Sequence, residues 1–215
     1  MDENFIDTSY DITKKSKLNI FYNKYKILVF SILSILFILI VSVSFFLKNE
    51  ENKKLVLSEN YIKAKIFIKE GNKIEAKNIL KNIIAENNST YSTLALFLII
   101  SENLIKEEND LLNIFDKVIK TKVIDKELKN LIIFKKMLYQ SNFASESELL
   151  ESANILINSE TIWKPNALLL MADYFTYKKE YSKAKEFYTK VLMLKDIHKD
   201  IYEYSAYQLA NINNE

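Results

Sequence analysis

The stretch 172–192, ADYFTYKKEYSKAKEFYTKVL, contains two apolar stripes separated by a short polar turn at 178–180. Within each stripe the apolar residues recur three or four positions apart, which is the spacing of one face of an α-helix. The stretch 64–84, AKIFIKEGNKIEAKNILKNII, has the same arrangement about a turn at 70–72. The two stretches therefore predict two copies of one helix–turn–helix unit.

Small residues occupy matching positions in the two stretches. Ala64 aligns with Ala172 on the first helix, and Ala76 aligns with Ala184 on the second. Two antiparallel helices in close contact need small side chains where they cross, so these alanines are predicted to lie at the crossings. Larger residues that follow them are predicted to fill the space between pairs: Phe67, Leu80 and Ile83 in the first copy, and Phe175, Tyr188 and Val191 in the other.

Two weaker copies lie between these stretches, at 91–119 and 127–157. The first helices of four pairs are then predicted to begin near residues 57, 91, 127 and 166. A last stripe, 201–212, carries Tyr202, Ala206 and Leu209 at repeat positions. It is predicted to be a capping helix that covers the exposed face of the fourth pair. An irregular helical bundle is the alternative to a repeat.

The composition favours an all-α fold and gives few means for catalysis. Hydrophobic residues make up 49% of the 215, with one Gly and one Pro in the whole chain. Such a sequence lacks the turn residues of β folds and the glycines of a phosphate-binding loop. There is no Cys and a single histidine, His198, so neither a disulfide nor a zinc site is expected. We therefore predict no catalytic, cofactor-binding or metal-binding residues, and no enzymatic activity.

Residues 27–47, ILVFSILSILFILIVSVSFFL, form an uncharged apolar segment. As a helix these 21 residues span roughly 31 Å, which matches a bilayer core of about 30 Å. A cleaved signal peptide usually has a shorter apolar region, and a buried core helix usually has a polar face. We expect a permanent transmembrane helix and keep the other two interpretations as alternatives.

Charge near this segment predicts its orientation. Five lysines precede it within the basic and aromatic head 1–26, whereas the lysines that follow are mixed with acids. The excess of lysine places the head in the cytoplasm. Residues 48–55 are then a linker, and 56–215 form a repeat domain in the periplasm of a bacterial inner-membrane protein. Because residues 49–215 carry 24 Lys and 24 acidic residues, no nucleic-acid binding is expected.

Helical repeats commonly present a groove to a peptide or protein, and the first helix of each pair lines it. Asp173 falls on the predicted inner face beside Tyr177, where it could contact a partner or remain a solvated residue. By repeat spacing the predicted protein-binding groove consists of Tyr61, Lys65, Ser92, Ile99, Glu102, Asp173 and Tyr177.

The paired helices resemble the tetratricopeptide repeat, a 34-residue helix–turn–helix with small residues at its helix crossings. The best copy carries the resemblance at Leu168, Met171, Ala172, Phe175, Tyr181, Ala184 and Tyr188. The resemblance implies a solenoid of about four helical hairpins closed by the capping helix.

The layout of the whole chain resembles the ancillary SecYEG translocon subunit family of YfgM-like inner-membrane proteins. Lys17, Phe21, Tyr22 and Tyr25 loosely match that family's basic and aromatic motif before its membrane helix. The resemblance implies a non-enzymatic scaffold without cofactors, whose partners are translocon subunits and periplasmic chaperones or client chains. A scaffold or assembly factor for a cell-division or respiratory complex of the inner membrane is the alternative.

Overall fold

The computed structural model describes residues 17–121 and 124–213, and every regular element within these ranges is an α-helix. The described chain divides into two units, and the boundary between Val56 and Leu57 falls inside the first helix. The helices are α1 (Lys17–Lys69), α2 (Lys73–Ala85), α3 (Ser89–Ser101), α4 (Glu108–Ile119), α5 (Lys126–Gln140), α6 (Glu146–Ile157), α7 (Lys164–Tyr177), α8 (Tyr181–Leu192) and α9 (Lys199–Asn213).

The first unit contains the apolar part of α1. Between Ile27 and Leu47 the described large apolar side chains are each at least half exposed. This exposure does not fit a buried core helix. By length and composition the helix is able to cross a membrane. The lysines at 14 and 15 of the predicted head lie outside the described residues.

Helix α1 continues through the predicted linker 48–55 without a break. The sequence there has no Gly or Pro, and it is rich in Lys, Glu, Asn and Leu, so nothing in it ends a helix. The first helix of the first pair was expected to begin near residue 57. It is instead the C-terminal part of a longer helix, and Leu57 and Ala64 on it are buried in the second unit.

In the second unit, helices that follow one another in sequence pack side by side from α2 to α9. Further contacts join α2 to α4, α5 to α7, and α7 to α9. This packing of successive helices is repeat-like. Its core comprises two clusters of buried side chains that meet at α5, where Ile132 belongs to the first and Ile133 to the second.

The alanines predicted to lie at the helix crossings are fully buried. Ala64, Ala76, Ala172 and Ala184 are all 0% exposed. At these positions a larger side chain would meet the neighbouring helix, because protein interiors leave few voids. The small residues therefore set how closely the two helices of each pair approach.

The two predicted turns are also equivalent in structure. Gly71 has a φ of +81° and Lys179 a φ of +61°, both in the left-handed region. The residue after each donates its backbone N–H to a carbonyl oxygen five residues earlier, at 2.8 Å after Gly71 and 2.9 Å after Lys179. This Schellman motif ends the first helix of each pair. The same bond, at 3.0 Å, follows Asn103 at the end of α3.

The N-terminal half of this unit departs from the predicted stacking. A regular repeat brings the first helix of each pair against the first helix of the next, as α5, α7 and α9 do here. In the other half α2 contacts α4, and both are second helices. Helix α3, STYSTLALFLIIS, has few polar residues. Its face at Ser92 and Ile99 is buried, whereas Thr90 and Leu94 on another face are exposed.

The capping helix α9 packs as predicted at Leu209 but not at Tyr202. Ser205 and Ile212 are buried, and Ile201 and Leu209 pack against the second core cluster. Tyr202, which was predicted to face inward, is about half exposed. The stripe at 201, 205, 209 and 212 has the three- to four-residue spacing of one helix face, and its small Ser205 allows close approach.

Candidate functional site

Two of the predicted groove residues come together on α7. Asp173 and Tyr177, four residues apart, line one open cavity of about 290 Å³. Ser141 and Asn142 of the turn between α5 and α6 line its other side. The cavity is completed by Leu170 and Tyr174. We call these six residues the Asp173 site.

The prediction was wrong for Ser92 and Ile99. Their side chains are 0% and 1% exposed, inside the first core cluster. The Ser92 hydroxyl lies 3.5 Å from the carbonyl oxygens of both Ile83 and Ile84 on α2 and donates a hydrogen bond to them. Both residues lie on the face of α3 that packs into the core, whereas Thr90 and Leu94 of the same helix are exposed, so repeat spacing selected the wrong face.

Tyr61, Lys65 and Glu102 do not line the cavity at Asp173. Tyr61 is partly buried against the first core cluster, and Lys65 is exposed. Glu102 caps the C-terminus of α3, and its carbonyl oxygen accepts a hydrogen bond from Lys73 Nζ at 3.2 Å. The seven predicted residues therefore do not form one continuous surface.

Asp173 is held by tyrosines from two other helices. Its Oδ1 atom accepts a hydrogen bond from the Tyr188 hydroxyl on α8 at 2.6 Å. The Tyr204 hydroxyl on α9 donates to the same oxygen at 3.3 Å. Because the three residues belong to α7, α8 and α9, the carboxylate joins the last three helices of the unit. The Thr176 hydroxyl, at 3.4 Å from the Tyr188 oxygen, adds a further polar contact.

Burial sets the protonation of this cluster. Partial burial raises the pKa of the Asp173 carboxyl above its ordinary value, although the hydrogen bonds from Tyr188 and Tyr204 act in the opposite direction. Burial also raises the pKa of both tyrosine hydroxyls, and the nearby carboxylate adds to this effect. The tyrosines therefore remain protonated donors, and near neutral pH the ionised form of Asp173 costs stability.

Asp173 is not paired with a cation among residues 17–121 and 124–213, whereas other acids of the unit are. Asp116 lies 2.7 Å from Lys136 Nζ, and Glu146 lies 2.7 Å from Lys183 Nζ. A partly buried carboxylate is usually compensated by a nearby positive charge. Here only neutral hydroxyl groups contact the carboxylate, so its ionised form places a negative charge at the cavity that no side-chain cation offsets.

Sequence reasoning missed the tyrosines that hold Asp173. Tyr188 was expected to fill space between pairs, which its 1% exposure fits, but its hydroxyl bond was not foreseen. Tyr204 lies 31 residues from Asp173 on a helix whose packed face was predicted only in part. The available signal was the acid itself, because an Asp near a helix crossing needs a donor.

A second cleft lies over α5 between α4 and α6 and has a volume of about 590 Å³. Its main polar groups already bond to one another: Lys136 pairs with Asp116, and the Ser152 hydroxyl donates to Gln140 Oε1 at 2.8 Å. In the part of the chain that the structure describes, no group of three or more His, Cys, Asp or Glu side chains is placed to hold a metal ion. The Asp173 site is therefore the stronger candidate.

Comparison with known proteins gives no relative: no family model, curated protein or solved structure matches this chain. The resemblance to the ancillary translocon subunits therefore stays a prediction from the layout of the sequence. Function has to be inferred from the residues of the Asp173 site and from the character of α1.

Proposed function

We propose that this chain is a membrane-anchored scaffold that binds other proteins through the face of α5, α7 and α9. The observation that carries the proposal is the Asp173 site. There an uncompensated carboxylate and Tyr177, which is 83% exposed, border one open cavity. Exposed tyrosines are typical of protein-binding surfaces, because they offer a large apolar area at a low entropic cost.

The contacts among first helices support a groove in this half of the unit. Helix α7 contacts both α5 and α9, as the inner helices of a tetratricopeptide-like solenoid do. We propose that these three helices form the inner wall of such a solenoid and that a partner chain lies along it. Helix α3 would not take part, because its predicted groove residues Ser92 and Ile99 are buried.

The exposed apolar segment of α1 supports the anchor. Side chains such as Phe37 and Phe45 are two-thirds or more exposed, which suits contact with lipid and not with water. The excess of lysine before the segment supports a cytoplasmic N-terminus. The second unit then works in the periplasm of a bacterial inner-membrane protein. A reporter fused after Glu215 tests this, because fluorescence typical of a cytoplasmic C-terminus would overturn it.

The partner is proposed from the family resemblance: translocon subunits, together with a periplasmic chaperone or client chains. The test is recovery of bound proteins from cells that carry the tagged full-length chain, solubilised in a mild detergent. Co-purification of the translocation channel supports the proposal. Recovery of a cell-division or respiratory complex instead would reject the translocon and favour the alternative assembly role.

Site-specific crosslinking tests which face binds. A photoreactive residue at Tyr177 should capture the co-purified partner. The control position is Ile74 on α2, which is 72% exposed and lies on none of the three helices of the proposed face. Equal capture from both positions, or capture from Ile74 alone, would contradict the proposed face.

A further inference from the structure

The Asp173 site also indicates what kind of group it binds. We propose that it accepts a lysine or arginine side chain of a partner polypeptide. This inference rests on the proposed protein-binding function and adds the chemistry of the ligand.

The first argument is the pattern of hydrogen-bond acceptors. Both tyrosine hydroxyls donate to Oδ1 of Asp173, which leaves Oδ2 for another donor. Across the cavity, the Asn142 side-chain N–H group donates to the carbonyl oxygens of Leu138 and Tyr139 at 3.4 and 3.3 Å. Its side-chain oxygen therefore remains an acceptor. A positively charged group with several N–H donors matches two such acceptors.

The second argument is charge. Lys178 follows the last residue of α7, and its Nζ atom lies 5.6 Å from the centroid of the Tyr174 ring. It forms no ion pair with Asp173. A cation from a partner would offset the cost of holding the carboxylate ionised in a partly buried position, and neutral or acidic side chains would not.

The third argument is the shape and lining of the cavity. At about 290 Å³ it lies at the lower end of the range of small-molecule pockets, so it suits one long side chain. Leu170, Tyr174 and Tyr177 give it apolar walls. Lysine and arginine carry an apolar stem behind a charged head, and the exposed ring of Tyr177 can add a cation–π contact.

The test measures binding of peptides by fluorescence anisotropy, with the full-length chain in a nonionic detergent. The probes are blocked nine-residue peptides of Ala, Ser and Leu with one central Lys, and matched peptides with Nε-acetyl-lysine in its place. We expect acetylation, which removes the charge, to weaken binding by about tenfold or more. Equal binding of the two sets, or no binding of the lysine peptides up to millimolar concentration, would overturn the proposal.

Two variants locate the effect. In Asp173→Asn the preference for lysine over acetyl-lysine should fall to about twofold or less. Its amide oxygen can still accept the tyrosine hydrogen bonds, and unchanged Trp163 fluorescence shows that the unit is folded. The control Asp200→Asn removes an equal charge from an exposed position on α9 and should keep the preference. A preference that persists in Asp173→Asn contradicts the assignment.

Spermidine distinguishes a partner side chain from a free polyamine. If it displaces the lysine peptides at equal concentration, the site is one for small polyamines and the proposal is wrong. In the pull-down, Asp173→Asn should recover less partner than the parent chain. Equal recovery would overturn this inference and leave the scaffold function standing, whereas recovery of no specific partner by either chain would reject the scaffold function itself.

Discussion

Replacement of Tyr188 by Phe tests whether the hydroxyl bond to Asp173 stabilises the last three helices. The Tyr188 oxygen lies 2.6 Å from Asp173 Oδ1, the usual distance of a strong hydrogen bond between a hydroxyl and a carboxylate. Phe keeps the ring that fills the space between α7 and α8, so the substitution removes little besides the hydrogen bond. Tyr204→Phe is the matched control, because its bond to the same oxygen is 3.3 Å long and more exposed.

The size of the effect follows from this geometry. Hydrogen bonds to charged groups contribute about 1.5–3 kcal/mol. Asp173 is only partly buried, and solvent screens the interaction, so we expect a loss of about 1 kcal/mol. For a unit the size of Leu57–Glu215 this lowers Tm by ~2–4 °C. Tyr204→Phe should lower the stability by less than about 0.5 kcal/mol, because the hydrogen bond from Tyr204 to Asp173 is longer and more exposed to solvent.

The assay is thermal and urea unfolding of the full-length chain in detergent, followed by the fluorescence of Trp163. This is the only tryptophan, and it lies in the second unit, so the signal does not include melting of the apolar helix. In the Asp173→Asn background the cost of Tyr188→Phe should shrink, because a neutral amide oxygen is a weaker acceptor. A Tyr188→Phe variant as stable as the parent, or a larger loss from Tyr204→Phe, would refute this account of the cluster.

Three further predictions use the same assay. Burial raises the folded-state pKa of Asp173 above its unfolded value, so this carboxyl stabilises the fold most at low pH, and that contribution is lost as the pH rises through the folded pKa. The Tm of Asp173→Asn should therefore rise relative to that of the parent chain between about pH 4 and pH 7. A difference in Tm that does not change with pH would contradict this. Lys179→Gly should raise stability by roughly 1 kcal/mol, because the backbone at this position is left-handed. Gly71→Ala should lower stability by a similar amount through backbone strain alone, because an added Cβ meets nothing within 4 Å. A change of the same sign in both variants would be inconsistent with backbone strain as the cause. Ala184→Leu should cost about 1–3 kcal/mol by overpacking the crossing of α7 and α8, whereas a neutral effect would show that the crossing is loose.

Ionisation of Asp173 lowers the stability of the folded chain at neutral pH, and this cost bears on the role of the residue. Two tyrosines, a threonine contact and partial burial surround an acid that no lysine of the described chain neutralises. An apolar or amide residue could occupy the same position at a lower electrostatic cost. Costs of this kind are common at binding sites, where function and stability make opposing demands.

Local patterns in the sequence were enough to predict the helices and their turns. Helices α3, α5 and α7 begin at Ser89, Lys126 and Lys164, close to the expected residues 91, 127 and 166. The alanine crossings could be predicted because the 12-residue separation from Ala64 to Ala76 recurs between Ala172 and Ala184. Such features depend on residues near one another in the chain, so periodicity and composition reveal them.

The groove was predicted less well, because its position depends on which helices become neighbours. Ser92 and Ile99 have suitable spacing for an inner face, but both are buried, and the exposed face of α3 carries Leu94 instead. The packed face of α9 was predicted only in part, and the contact of Tyr204 with Asp173 was not foreseen. Spacing within one helix cannot show which side a distant helix will cover.

The sequence by itself determined an all-helical chain with an apolar N-terminal segment long enough to cross a membrane, and it located the crossings and turns of the clearest helix pairs. Those properties follow from hydrophobic spacing, small residues and the near absence of Gly and Pro. The tertiary structure alone decided that α2 contacts α4, which face of α3 is buried, and that Asp173 meets Tyr188 and Tyr204. Contacts between helices far apart in sequence depend on three-dimensional packing, which no local pattern encodes.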